Sequence, residues 1–269
     1  MRKPDFHLHS DFSHDSRMPR EEAIEAALKC GITDLCFTEH IDLGTPNPSA
    51  QGIPDFAAMQ ESLLALRRKY PELHIGLGIE AGWNANGAAR SAQLLAEQRL
   101  DFVLLSLHRL DNLSCAAPEL LERYSHEALS RHYLETIYES LTDKRLEGLW
   151  DCAGHIGYIA RRSDFANFTL CYDLFPHLFD DILRHVIRQG KGIEVNMSGV
   201  RQIGCTMPHP TVVQRYYELG GRIITVGSDG HKPDAVGQGI GLALDTLRRC
   251  GFTEFTVFEN HTPHFLPLT

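Results

Sequence analysis

The chain lacks the marks of several large protein classes. Its seven cysteines, Cys30, Cys36, Cys115, Cys152, Cys171, Cys205 and Cys250, form no CxxC pair. An odd, scattered set reads as reduced thiols, which predicts a cytoplasmic protein with neither a disulfide framework nor a cysteine-held metal. No apolar run approaches the ~20 residues of a membrane-spanning helix. The opening Met1-Arg2-Lys3-Pro4-Asp5 leads into a short strand-like run and shows no signal-peptide pattern. Basic residues are outnumbered 26 to 35, for a formal net charge of −9. That balance argues against nucleic acid or an anionic membrane as a partner held by bulk charge. There is no Gly-x-Ser-x-Gly nucleophile turn and no GxxxxGK phosphate loop. Repeats, low-complexity tracts and linkers are missing too, so residues 1–269 are expected to form a single domain.

What the chain does have is histidine, 15 residues of it, and a regular alternation of elements. Candidate strands are Phe6–Leu8, Asp34–Phe37, His74–Ile79, Phe102–Ser106, Leu149–Ala153, Gly192–Val195 and Arg222–Val226, with a further run at Phe255–Phe258. Candidate helices are Arg20–Cys30, Phe56–Lys69, Glu119–Lys144, Asp173–Arg188, Thr211–Leu219 and Gly241–Arg249. Loops are expected over Ile41–Asp55 and Arg109–Pro118. Alternation of this kind predicts an α/β protein built as a parallel, TIM-like β/α barrel, with an open doubly wound sheet as the alternative.

The histidines and carboxylates fall where such a barrel would carry its site, at the C-terminal ends of the strands. His7 and His9 sit two apart, so a strand turns both imidazoles to one face. Thr38-Glu39-His40 follows the second strand, Glu80 the third, Ser106-Leu107-His108 the fourth and Gly154-His155 the fifth. Glu194 and Asn196 lie at the sixth, and Ser228-Asp229-Gly230-His231 follows the seventh. A lone His-x-His is weak evidence. Imidazole or carboxylate at every strand tip is a donor set suited to zinc, iron or manganese. So many ionisable groups at one mouth would also be costly to bury without a cation. His126, His132, His177 and His185 fall within predicted helices and read as surface or packing residues.

This series of residues resembles the PHP (polymerase and histidinol phosphatase) family. The flanking words Phe-Thr-Glu-His at 37–40, Asp-Phe-Val at 101–103 and Glu-Val-Asn at 194–196 are most similar to its histidinol-phosphate phosphatase branch. The resemblance runs from Asp5 to about His231. It implies a distorted (β/α)7 barrel with two or three divalent metal ions. One would take His7, His9, Glu80 and Asp229. A second would take Glu80, His108 and His155, with Glu80 bridging. A third would take His40, His231 and Asp15, which stands, with His14 beside it, where many members of the family have histidine. Asp15 is open to three roles: ligand, partner of a bound water, or acid/base with His231. The resemblance further implies two arginines on the substrate phosphate, Arg161 and Arg201, with Arg162 as the alternative to Arg161. Guanidinium suits phosphate because its planar fork donates two parallel hydrogen bonds.

The expected chemistry is hydrolysis of a small phosphate monoester. Paired metals make water nucleophilic at neutral pH, and metals and arginines neutralise charge on the phosphoryl oxygens. Histidinol phosphate is the expected substrate. Acids in the candidate loops, Asp42, Asp55 and Asp111, are expected to be solvated. Other readings are a PHP phosphoesterase acting on nucleotides or nucleic-acid ends, a metal-binding module without turnover, and a deaminase or amidohydrolase on a similar barrel. The acidic chain and the arginine pair count against the first. The nearly complete donor set counts against the second, and the lack of a metal-bridging lysine pattern against the third.

Overall fold

A computed structural model describes residues 2–45, 52–161 and 169–268. In chain order the elements are β1 (Pro4–Leu8), α1 (Arg20–Lys29), β2 (Asp34–Asp42), α2 (Phe56–Lys69), β3 (His74–Gly82), α3 (Ala88–Glu97) and β4 (Phe102–Ser106). A short ribbon, β5 (Arg109–Leu110) with β6 (Leu113–Ser114), leads to α4 (Glu119–Arg123), α5 (His126–Thr142) and β7 (Cys152–Ala153). The rest comprises α6 (Pro176–Arg188), β8 (Gly192–Asn196), α7 (Ser198–Ile203), α8 (Pro210–Glu218), β9 (Ile224–Gly227), α9 (Ile240–Arg249) and the hairpin β10 (Glu254–Glu259) and β11 (Thr262–Pro267).

Seven strands form one all-parallel sheet in the order β1-β2-β3-β4-β7-β8-β9. The two outer strands meet through irregular backbone bonds around the end of β1 and just past β9, Asp229 N–H to His7 O at 2.9 Å and His9 N–H to Gly230 O at 3.0 Å. The sheet thus curls into a nearly closed barrel, the distorted (β/α)7 arrangement expected, and not an open doubly wound sheet. Its strands are buried along nearly their whole length, as near-continuous apolar runs covered by helices require.

The seam between β1 and β9 rests on Asp5. This fully buried carboxylate accepts Ser228 N–H at 2.7 Å and Gly237 N–H at 2.8 Å. It thereby anchors the segment that carries Asp229 and His231. The eighth apolar run does not enter the barrel. It becomes β10 of an antiparallel hairpin, with Phe258 packed on Phe102 at 4.9 Å between ring centroids. The hairpin turn donates His261 N–H to Asp101 O at 2.9 Å and brings His261 Nδ1 to 2.8 Å from Asp151. Those residues immediately precede β4 and β7, so the hairpin covers the end opposite the strand tips.

Three local expectations are corrected. The helix expected over Glu119–Lys144 is two helices, because Ser125 turns the chain at Tyr124 and caps α5 by accepting Ala128 N–H at 3.2 Å. The loop expected over Arg109–Pro118 holds the β5–β6 ribbon, whose turn residues Asp111 and Asn112 have φ of 51° and 63°. The helix expected from Asp173 begins at Pro176, the residue suited to a first helical turn. Part of the loop expected over Ile41–Asp55 lies outside the described residues. Within the rest, β2 runs on through Asp42.

Replacing Asp5 with alanine leaves two buried N–H donors without an acceptor, at about 1–3 kcal/mol each. Asp5→Ala is expected to lower unfolding free energy by about 2–6 kcal/mol in a denaturant titration. A loss under 1 kcal/mol would contradict the role assigned to this carboxylate in the seam.

Candidate metal centre

The barrel's geometry gathers the strand tips. Parallel register places His40 of β2 beside Glu80 of β3, and Asp42 beside Gly82. Glu80 is 1% exposed, and its two oxygens face two different sets of imidazoles. Oε1 lies 3.0 Å from His108 Nε2 and 2.6 Å from His155 Nε2, and accepts Ser106 Oγ–H at 2.8 Å. Oε2 lies 3.1 Å from His7 Nε2, 3.3 Å from His9 Nε2 and 3.3 Å from His40 Nδ1. Asp229, in a left-handed conformation at φ 56°, brings Oδ1 to 3.8 Å from His7 Nε2, 3.6 Å from His9 Nε2 and 3.4 Å from His231 Nδ1. Asp15, 43% exposed at its side chain, places Oδ2 3.2 Å from His231 Nε2 and 3.5 Å from His40 Nε2. All nine residues named from the sequence as candidate ligands therefore lie in one connected cluster. Among the described residues, groups with donor atoms close enough to hold an ion include His7 with His9 and Asp229; His40 with Glu80 and His108; and His9 with His40 and His231. These divide the donors somewhat differently from the sets expected from sequence, because His9 and His40 each stand between two groups.

The donor chemistry fits cations. His7 Nδ1 is 2.6 Å from Glu194 Oε1, His108 Nδ1 is 2.9 Å from Asp42 Oδ1, and His231 Nδ1 is 3.2 Å from the Asp229 carbonyl. Each of these partners only accepts, so Nδ1 carries the proton and Nε2 turns inward. The inward nitrogens then meet at close range, His7 with His9 at 3.0 Å and His108 with His155 at 3.3 Å. Among the described residues, His155 Nδ1 is buried without a hydrogen-bond partner, and His40 Nδ1 is buried near the Glu80 and Asp42 carboxylates, at 3.3 and 3.4 Å, without forming a hydrogen bond to either.

Charge in the cluster is pulled both ways. Burial opposes ionisation of Glu80, yet His7, His108, His155 and His40 hold its carboxyl well below the ordinary range. Burial likewise opposes charge on His7 and His108, but Glu194, Glu80 and Asp229 raise the first well above its usual value, and Asp42 and Glu80 the second. His9 moves the other way, held well below its usual value by burial and by His40 and His231. The buried carboxylates thus demand positive charge, which in the protein alone comes from protonated imidazoles and, at Asp229, from Arg161, and which divalent cations would supply directly.

The cluster floors a cavity of about 560 Å³ whose wall includes Arg161, Arg201, Tyr158, Lys232 and His14. Arg161 donates Nε–H to Gln202 at 2.7 Å, lies 3.7 Å from Asp229 Oδ2, and rests its guanidinium 4.7 Å over the Tyr158 ring. Arg201 donates to the carbonyls of Ser228 at 2.8 Å and Asp229 at 3.2 Å. The two arginines expected to hold phosphate therefore share one cavity with the cluster. Arg162 lies outside the described residues.

Sequence reasoning missed several contributors. Asp42, expected to be a solvated loop acid, is 8% exposed and orients His108. Gly82 makes room for it: a Cβ there would overlap the Asp42 carboxylate and lie 2.9 Å from His108 Nδ1. Glu194 was noted at its strand tip, but its contact with His7 was not foreseen. Tyr158 and Gln202, which brace Arg161, carry no sequence signal. Of the other loop acids, Asp55 caps α2 and Asp111 binds Tyr124 and His132.

A parallel barrel with imidazoles, carboxylates and arginines converging at its C-terminal mouth defines a class of metal-dependent hydrolases. Within that class the chain belongs to the PHP domain family, whose sequence profile matches residues 5–198. It is 28% identical over 246 residues to a probable histidinol-phosphatase of Clostridium acetobutylicum, covering 91% of this chain and 93% of that one. It is 25% identical over 264 residues to a histidinol-phosphatase of Lactococcus lactis, covering 96% and 95%. Among solved structures, a Lactococcus lactis histidinol phosphate phosphatase in complex with zinc, L-histidinol and phosphate superposes with a TM-score of 0.86 at 23% identity, over 98% of this chain and 99% of that one. A putative histidinol phosphatase from Listeria monocytogenes gives 0.79 at 20% identity, over 89% and 99%.

Because one carboxylate faces two sets of imidazoles, Glu80→Ala is expected to strip metal from both. Elemental analysis should show the loss, with turnover down by more than about 100-fold, beyond what loss of an outer partner costs. Wild-type metal content in this variant would refute the bridging arrangement.

Proposed function

We propose that the protein is a metal-dependent phosphomonoesterase that hydrolyses L-histidinol phosphate to L-histidinol and phosphate in histidine biosynthesis. The observation that carries the reading is one cavity in which Arg161 and Arg201 overlook the Glu80-centred cluster. Relatives named as histidinol-phosphatases that align over more than nine-tenths of the chain support the substrate. Seven free thiols and a biosynthetic small-molecule substrate support a cytoplasmic location on this reading. Among the described residues no helix is long and apolar enough to cross a membrane.

His7, His9, Glu80 and Asp229 would hold one divalent cation, and Glu80, His108 and His155 a second. The nitrogen and oxygen donors suit zinc, iron or manganese. Bound cations of this kind lower the pKa of water and offset negative charge on a phosphoryl group. The protein's own residues do the rest. Arg161 and Arg201 bind the phosphate oxygens, and both guanidiniums are fixed in advance, one by Gln202 and the Tyr158 face, the other by two backbone carbonyls. Fixed donors lose little freedom on binding and act where charge develops. Asp15 and His231 form a pair at the exposed edge of the site. Burial works against both charges, but His231 and His40 lower Asp15, and Asp15 and Asp229 raise His231, and His231 Nε2 faces the accepting Asp15 carboxylate at 3.2 Å. His231 is then the donor to the leaving alkoxide, and Asp15 steadies it. Asp15, His40 and His231 would alternatively accept a third cation in place of that proton.

Purified protein should release phosphate from L-histidinol phosphate with a kcat/KM at least ten-fold above that for any member of a nucleotide panel. The reverse order would favour a nucleotide phosphoesterase. Arg161→Ala is expected to keep its metal but lose about 10²-fold in kcat/KM. Unchanged kcat/KM would remove Arg161 from the phosphate site.

A further inference from the structure

We propose that Ser13 and Glu39, buried behind the cluster, fix which ring nitrogen His9 presents to a metal, with Arg20 holding the relay in place. The inference rests on the metal-binding reading of the site. Glu39 belongs to the Thr-Glu-His word, yet it is not aimed at the cluster. Its Oε2 accepts Ser13 Oγ–H at 2.6 Å and Ser10 N–H at 3.0 Å, and its Oε1 accepts from Arg20 at 3.1 Å. Glu39 is 0% and Arg20 4% exposed.

A hydroxyl has one hydrogen and two lone pairs. Ser13 gives its hydrogen to Glu39, which, paired with Arg20, can only accept. What remains on Ser13 is acceptor capacity. One lone pair takes His40 N–H at 3.2 Å, and the other faces His9 Nδ1 at 3.1 Å. His9 must therefore carry its proton on Nδ1, leaving the Nε2 lone pair directed at Glu80 and Asp229. His7, His108 and His231 are held in the same tautomer by a carboxylate or a carbonyl. His9 is held by a neutral hydroxyl whose direction is set one bond further out. Arg20 is anchored in turn by Met59 O at 3.0 Å and lies 4.5 and 4.8 Å over the Phe12 and Phe37 rings. These are positioning residues: none of the three lines the cavity.

Two measurements test this. In zinc-loaded wild-type protein, long-range ¹⁵N–¹H NMR is expected to show His9 protonated at Nδ1; protonation at Nε2 overturns the proposal. In competition with a chelator, Ser13→Ala is expected to bind zinc 10- to 100-fold more weakly at one site, while Ser13→Thr, which keeps the hydroxyl, retains wild-type affinity. If the role were only structural, Ser13→Ala would lower the unfolding midpoint of the zinc-stripped protein and leave affinity unchanged, which overturns the proposal and leaves the functional reading standing. Wild-type protein that takes up no zinc, iron or manganese would overturn the functional reading and this inference with it. The NMR measurement decides the matter even if the alanine variant does not fold.

Discussion

The arrangement of the whole mouth depends on one buried carboxylate. Glu80 sits at the middle of the barrel wall, and its two oxygens divide the imidazoles into those of β1 and β2 on one side and those after β4 and β7 on the other. A side chain with one donor atom could serve only one set. A carboxylate away from the strand tip would reach neither. Placing Glu80 there requires a parallel register that sets it beside His40, a neighbouring Ser106 to hold one oxygen, and a barrel closed tightly enough for β1 to reach across to it.

Gathering this much charge in a buried place works against stability, since isolated ions in a low-dielectric interior cost several kcal/mol each. The fold limits that cost by giving the imidazoles outer partners and supporting those partners as well. Glu194, which holds His7, also accepts His155 N–H at 2.8 Å. Asp42, which orients His108, sits against a glycine that leaves it space. Asp5 ties the Asp229 segment to β1. Stability and chemistry occupy opposite ends of the barrel: the C-terminal hairpin packs over the strand starts, while polar groups collect at the strand tips.

Much of this was legible in the sequence because it depends on short-range patterns. His7 and His9 share a face because a strand repeats every two residues, and the barrel strands read as apolar runs of strand length. Where local signals competed, reading failed. The apolar helical period runs unbroken from Glu119 onward, but Ser125 caps a new helix and splits it. The helix α3 passed unnoticed because its cap, Gly87, offers no side chain and it has neither an acidic residue in its first turn nor a basic one in its last. Asp42 looked like a solvated loop acid because the extension of β2 through it has no strong strand signal.

By itself the sequence determined the donor types, their place at strand tips and the class of chemistry they suit. The tertiary structure decided which donor meets which. The contacts that do this, His7 with Glu194, His155 with Glu80 and His108 with Asp42, join residues 187, 75 and 66 positions apart. No local period encodes such pairings. They exist because the closing of the barrel brings distant strand ends within hydrogen-bond reach, and there Glu194 and Asp42 settle that His7 and His108 keep the proton on Nδ1.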